Sequence, residues 1–173
     1  MNCPIDSICE IIIAITAVLG VYISITTWKK NTLVEYNKTA QNFFRDTLED
    51  KNFAMIFHNI DYGKNFYGPD FHDSELEANL DRLLIRYTFL VDLVTDVRFK
   101  NKNMDWIKYE IHRIVTNIDI QSYLFNLSNF TKSINAPFPY KSIVDYGKSA
   151  GLLDEMFFNV EQGIKKYGKV LNW

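Results

Sequence analysis

The stretch ICEIIIAITAVLGVYISITTW, Ile8 to Trp28, decides how the rest of the chain is read. It runs 21 residues with one ionisable side chain, Glu10, near its outer end. As an α-helix at about 1.5 Å per residue it would be about 30 Å long, the thickness of a bilayer's hydrocarbon core. Thr16, Ser24, Thr26 and Thr27 lower its hydrophobicity, but such hydroxyls can bond back to carbonyls of their own helix. Gly20 is a residue type common in membrane helices. An amphipathic helix of a soluble domain would carry a polar stripe, and Ile11 to Val21 carries none. The pattern predicts a transmembrane helix over 8–28.

The flanks give the expected orientation. Residues 1–7, MNCPIDS, hold no Lys or Arg, and the run ends in Trp28-Lys29-Lys30 with no small-residue cleavage site. Both features argue for a retained anchor over a cleaved leader. Lys29, Lys30, Lys38 and Arg45 follow within about 20 residues, which places residues 1–7 outside and the rest of the chain in the cytoplasm. Trp28 suits the interfacial belt on that side. Glu10 lies two residues inside the outer boundary, where its carboxylate can reach water.

Beyond the anchor, no proline or glycine interrupts residues 21–62, and Leu33, Tyr36, Ala40, Phe43, Thr47 and Leu48 recur at spacings of three and four. This predicts a stalk helix over 29–50 that continues the membrane helix. Residues 51–173 then suffice for one domain with a real core. FAMIF at 53–57 suggests a short helical turn. NIDYGKNFYGPDFHD, 59–73, is a break rich in turn residues and in rings. Ser74-Glu75-Leu76-Glu77 has the spacing of a capping box, followed by a stripe from Leu76 to Val94 that should end near Arg98–Lys100. Lys100 to Asn103 reads as a polar interhelical loop.

Met104, Ile107, Ile111, Ile114, Val115 and Ile118 mark a third helix, with Trp106 and Tyr109 widening its stripe. Asn117-Ile118-Asp119 caps a turn into a fourth, whose expected core face is Ile120, Tyr123, Leu124, Leu127, Phe130 and Ile134. Pro137 and Pro139 stop it. A short helix from Tyr140 to Ala150 ends at Gly151, and a last amphipathic segment from Asp154 to about Lys166 contains an awkward interior glycine, Gly163. Nothing alternates with period two. The predicted fold is all-α: a transmembrane helix, a stalk, and a cytoplasmic bundle of four to six helices joined by short connections.

Composition narrows function mainly by exclusion. A net charge of −2 offers no basic excess for nucleic acid. Both cysteines, Cys3 and Cys9, lie at or before the start of the span, so the domain has none, as suits a reducing compartment. Asp70, His72, Asp73 and His58 are close in sequence but lack any metal-ligand spacing, so no metal site is expected. His112, between Glu110 and Arg113, reads as a solvated surface residue. Asp61, Asp70, Asp73, Asp81, Asp92 and Asp96 are scattered, and no nucleophile motif or phosphate-cradling glycine loop occurs. No catalytic residue and no cofactor are therefore expected. The sequons at Asn37, Asn126 and Asn129 are chance matches on a cytoplasmic domain.

The 13 Phe and 10 Tyr are a heavy aromatic load. The candidate partner-contact residues are the rings of the loop, Tyr62, Phe66, Tyr67 and Phe71 with His72, and those of the proline elbow, Phe138 and Tyr140. The expected role is a membrane-anchored, non-enzymatic interaction or regulatory module, its partners the lipid bilayer and a protein. The alternative is an oligomeric membrane effector, toxin-like or of the abortive-infection type, self-associating through Ala14, Ala17 and Gly20 of the span.

The anchor ending WKKN, the loop IDYGKNFYGPDFHDSELEANLDRLL, the segments WIKYEIHRIV and YLFNLSNF, and the elbow APFPYKSIVDYGK together resemble a group of uncharacterised bacterial membrane-anchored helical proteins. The resemblance covers nearly the whole chain, with FHDSELE and PFPYKSIVDYG its most specific parts. It implies a bacterial source and a plasma-membrane location, and carries no activity, cofactor or catalytic residue.

Overall fold

The computed structural model describes residues 4–96 and 104–168; the side chains of residues 4–12 and of Phe44 lie outside the description. Among the described residues there are seven helices and no strand: α1 Pro4–Glu49, α2 Lys51–Asp61, α3 Glu75–Thr95, α4 Asp105–Val115, α5 Ile118–Ser133, α6 Lys141–Ser149 and α7 Val160–Tyr167. The all-α class is as expected. The chain divides into two compact units, residues 1–44 and 45–173.

In the first unit, α1 runs without a break through Gly20, and beyond it the absence of proline and glycine lets the helix continue as expected. The Ser24 hydroxyl donates to the Gly20 carbonyl at 2.8 Å, and the Thr26 hydroxyl turns back to the carbonyls of Tyr22 and Ile23. Every described side chain from Ile13 to Trp28 is exposed. No helix is long and apolar enough to cross a membrane among the described residues. The transmembrane reading thus lacks support there; the Ile8–Ile12 part of the expected span, with Cys9 and Glu10, lies outside the described side chains, as does Cys3.

In the second unit, α3 packs against α2, α4 and α6, α4 also meets α5 and α6, and α7 docks on α5. The stripe on α3 is buried as expected, through Leu80, Leu83, Leu84, Tyr87, Leu90 and Val91. The helix stops at Thr95; its expected end near Arg98–Lys100 and the loop to Asn103 fall outside the described residues. α5 departs from its one-faced pattern. Ile120 to Leu127 is buried on every side, including Gln121, Ser122 and Asn126, whose N–H and O–H donors reach nearby carbonyls, while Asn126 Oδ1 is left without a hydrogen bond among the described residues. Ile134, expected in the core, sits past the helix end and is exposed. Asn117 caps α5 as expected, accepting the N–H groups of Asp119 and Ile120.

Two further differences have local causes. The FAMIF turn is part of a full helix, α2, because Asp50 caps it by accepting the Asn52 N–H at 2.9 Å. The last helix begins at Val160, not Asp154, because Asn159 is its cap and residues 154–158 form turns. Its interior Gly163 is required by packing: a Cβ there would stand 1.9 Å from Cε2 of Phe125.

Candidate functional site

The capping box of α3 organises the aromatic loop in a way its motif did not foretell. Ser74 Oγ accepts the Glu77 N–H at 3.1 Å, as the motif requires. The reciprocal bond is displaced by one residue. Ser74's own N–H is taken by the Phe71 carbonyl, so Glu77 Oε2 accepts the Asp73 N–H instead, at 2.7 Å. Asp73 adopts a left-handed φ of 61°, which an aspartate tolerates. The other oxygen, Oε1, lies 3.0 Å from His72 Nδ1, and His72 Nε2 is 3.4 Å from the Tyr67 hydroxyl. One nearly buried carboxylate thus holds the loop by its backbone and by its histidine.

A second carboxylate holds the loop's other end: Asp119 Oδ2, buried at the start of α5, accepts the Phe66 N–H at 2.8 Å. Between these anchors Tyr67 and Phe71 both stand edge-on to the Tyr123 ring, at 6.0 and 5.5 Å. The Tyr123 hydroxyl donates to Asp81 Oδ1 at 2.6 Å, and the Tyr140 hydroxyl donates to the same oxygen at 2.7 Å. Burial, with the adjoining Asp81 carboxylate, pushes both phenols well above the usual tyrosine range. Tyr67 is pushed up too, by burial first, partly opposed by Asn126 and reinforced by Glu77. Burial of this kind favours the neutral phenol, the form in which Tyr123 and Tyr140 donate to Asp81.

The expected contact residues therefore separate. Phe71 and Tyr140 are 3% exposed and belong to the core. Phe66, Tyr67, His72 and Phe138 are half-buried. Tyr62 stands out at 71% exposed, its ring 4.6 Å from that of His58, which Lys64 Nζ approaches at 2.9 Å. Immediately before it, Ile60 and Asp61 border an open cleft of about 710 Å³, whose other walls are Tyr109, His112 and Arg113 of α4 and Ile118 of α5. Arg113 spans the cleft's base. It grips Asp61 with two bonds, at 2.8 and 2.6 Å, reaches Glu110 at 3.0 Å, and lies over the Phe57 ring. Tyr109 and Ile118, expected within or beside the core stripe, are instead exposed on the rim, Tyr109 at 66%. His112, expected in solvent, is half-buried with Nε2 3.2 Å from the Tyr146 hydroxyl.

No group of three metal-ligating side chains occurs among the described residues. Sequence reasoning read Glu77 as a capping-box acceptor but missed its contact with His72, and it missed Asp81 and Asp119 as acceptors. The available signal was position: Glu77 and Asp81 are four apart, flanking Leu80 on the buried side of α3, in a chain rich in tyrosine hydroxyls that need acceptors.

Comparison with protein-family models, curated proteins and solved structures finds no match to this chain. The site must be read on its own chemistry. What it offers is a set of rings and carboxylates that fix a loop, beside an open cleft rimmed by the exposed Tyr109. Aromatic side chains of this kind bury large area at low entropic cost when a protein surface covers them.

Proposed function

We propose that the chain is a membrane-tethered helical interaction module, held in a bacterial plasma membrane by residues 8–28 with residues 1–7 outside and the helical domain in the cytoplasm. One observation carries this reading. Ile13, Ile15, Val18, Leu19, Val21, Tyr22, Ile23, Ile25 and Trp28 are each 46–68% exposed. At about 100° per residue they fall on all sides of the helix. Removing nine such side chains from water is worth on the order of 10 kcal/mol, and a sleeve with no charged residue, its hydroxyls at Ser24 and Thr26 bonded back to the helix, is suited by lipid. Lys29 and Lys30 close the sleeve on one side only, which sets the orientation.

The domain's part is binding, not catalysis. Its loop is fixed by hydrogen bonds, burial favours the neutral form of its inner tyrosines, and the exposed ring of Tyr109 borders the open cleft, with Tyr62 exposed on the neighbouring loop. Protease digestion of intact spheroplasts tests the topology. A tag ahead of Met1 should be removed while the domain survives until the membrane is permeabilised. Digestion of the domain in intact spheroplasts would refute the placement.

A further inference from the structure

The proline elbow APFPY, residues 136–140, has a role beyond ending α5. It forms one wall of a cleft of about 340 Å³ between the C-terminal half of α5 and the segment leading into α7. Phe138 and Phe158 meet there edge-to-face, 5.8 Å apart at 83°. The elbow is anchored on both sides of Phe138. The Ala136 N–H donates to the Thr131 carbonyl at 2.8 Å, and the Tyr140 hydroxyl is bonded to Asp81. The aromatic wall is thus formed before any ligand arrives, which lowers the entropic cost of binding.

The polar half of the cleft is one-sided in charge. Lys132 and Lys141 line it, and no carboxylate does among the described residues. Lys141 pairs with Asp145, which stands outside the lining, whereas Lys132 makes no ion pair among the described residues. Lys148, outside the lining, holds its Nζ 4.5 Å over the Phe158 ring and helps fix that ring's position. Asn129 spends its amide N–H on the Phe125 carbonyl, which leaves its oxygen to accept from a ligand hydroxyl. Two rings set nearly at right angles offer a face and an edge to a planar ring, and the lysines of the same lining suit a negative charge on it.

We propose that this cleft binds a small organic anion carrying a planar ring, the ring on Phe138 and Phe158 and the anionic group on Lys132 and Lys141. The size of the cleft suits a molecule of one or two rings. Phosphate and carboxylate would both satisfy the lysines, and the test separates them.

The experiment is isothermal titration of the full-length chain in lipid nanodiscs with phenyl phosphate and with phenylacetate. Inorganic phosphate and benzyl alcohol, the anion alone and the ring alone, serve as comparisons. At least one ring-bearing anion should saturate a single site at about 1 mM or tighter, with both comparison molecules about tenfold weaker. Which of the two anions binds better identifies the anionic group. Phe138→Ala and Lys132→Ala should each weaken binding by about tenfold, while Lys132→Arg retains it. Melting curves of the variants separate lost binding from lost folding. Absence of saturation by both anions would overturn the proposal, as would saturation unchanged by Phe138→Ala and Lys132→Ala in folded protein.

Discussion

Tyr123 donates its hydroxyl proton to Oδ1 of Asp81 at 2.6 Å, from a position 42 residues further along the chain. Tyr140 donates to the same oxygen from the proline elbow. One carboxylate on α3 therefore ties down α5 and the start of α6. Asp81→Ala would remove the carboxylate that both hydroxyls share and leave Tyr140 only the long 3.4 Å contact to the Asp81 carbonyl, so a loss of about 1–3 kcal/mol for each weakened bond, about 2–6 kcal/mol in all, is expected in chemical denaturation. Tyr123→Phe removes one donor and should cost about 1–2 kcal/mol. In the Asp81→Ala background the same change should cost less, because the bond it removes is already gone.

The same phenols set an alkaline limit. Tyr87, Tyr123 and Tyr140 are nearly inaccessible, and burial raises all three above the unfolded value near 10. Below pH 10 both states hold these protons and the full stability is present. Above it the unfolded chain loses them first, so stability falls with pH, by about 1.4 kcal/mol per unit for each phenol still protonated in the fold. Denaturation midpoints between pH 8 and 11 should show this decline, and Tyr123→Phe with Tyr140→Phe should flatten it.

Gly163 should tolerate no side chain. Alanine favours helices by about 1 kcal/mol over glycine. Here its methyl would overlap the Phe125 ring, which is fully buried and hemmed by Phe157 and Tyr167. Gly163→Ala should cost about 2 kcal/mol or more and release α7. Phe125→Leu in the same chain should recover part of the loss. A neutral Gly163→Ala would disprove the close approach.

Glu77→Ala should loosen the aromatic loop before it loosens the domain. It removes the acceptor for the Asp73 N–H and the partner of His72, but leaves Asp119 holding Phe66. Hydrogen exchange should quicken at Asp73 and its neighbours by about tenfold or more, with α3 and α5 far less affected.

The helices were legible because their faces repeat at three and four residues and their caps are local: Ser74, Asn117 and the Gly151 stop are where the pattern put them. What could not be read was long-range. A glycine that weakens a helix by propensity, Gly163, proves to be the point where α7 meets a ring on α5. Asp81 looked like one scattered carboxylate among several, because its two tyrosines come from distant segments. His112 looked solvated by its charged neighbours, but the surrounding fold brings Tyr146 to it. The loop's rings were visible as a group; only the structure divides Tyr62, exposed, from Phe71, buried.

The tether is tested most directly by alkaline carbonate extraction of membranes from bacteria producing the full-length chain. Carbonate strips proteins held on a membrane surface and leaves those whose helices cross the hydrocarbon. The exposed apolar sleeve from Ile13 to Trp28 predicts that the chain stays in the pelleted membrane. Release of the whole chain into the supernatant would contradict the account and leave that sleeve to be covered by protein.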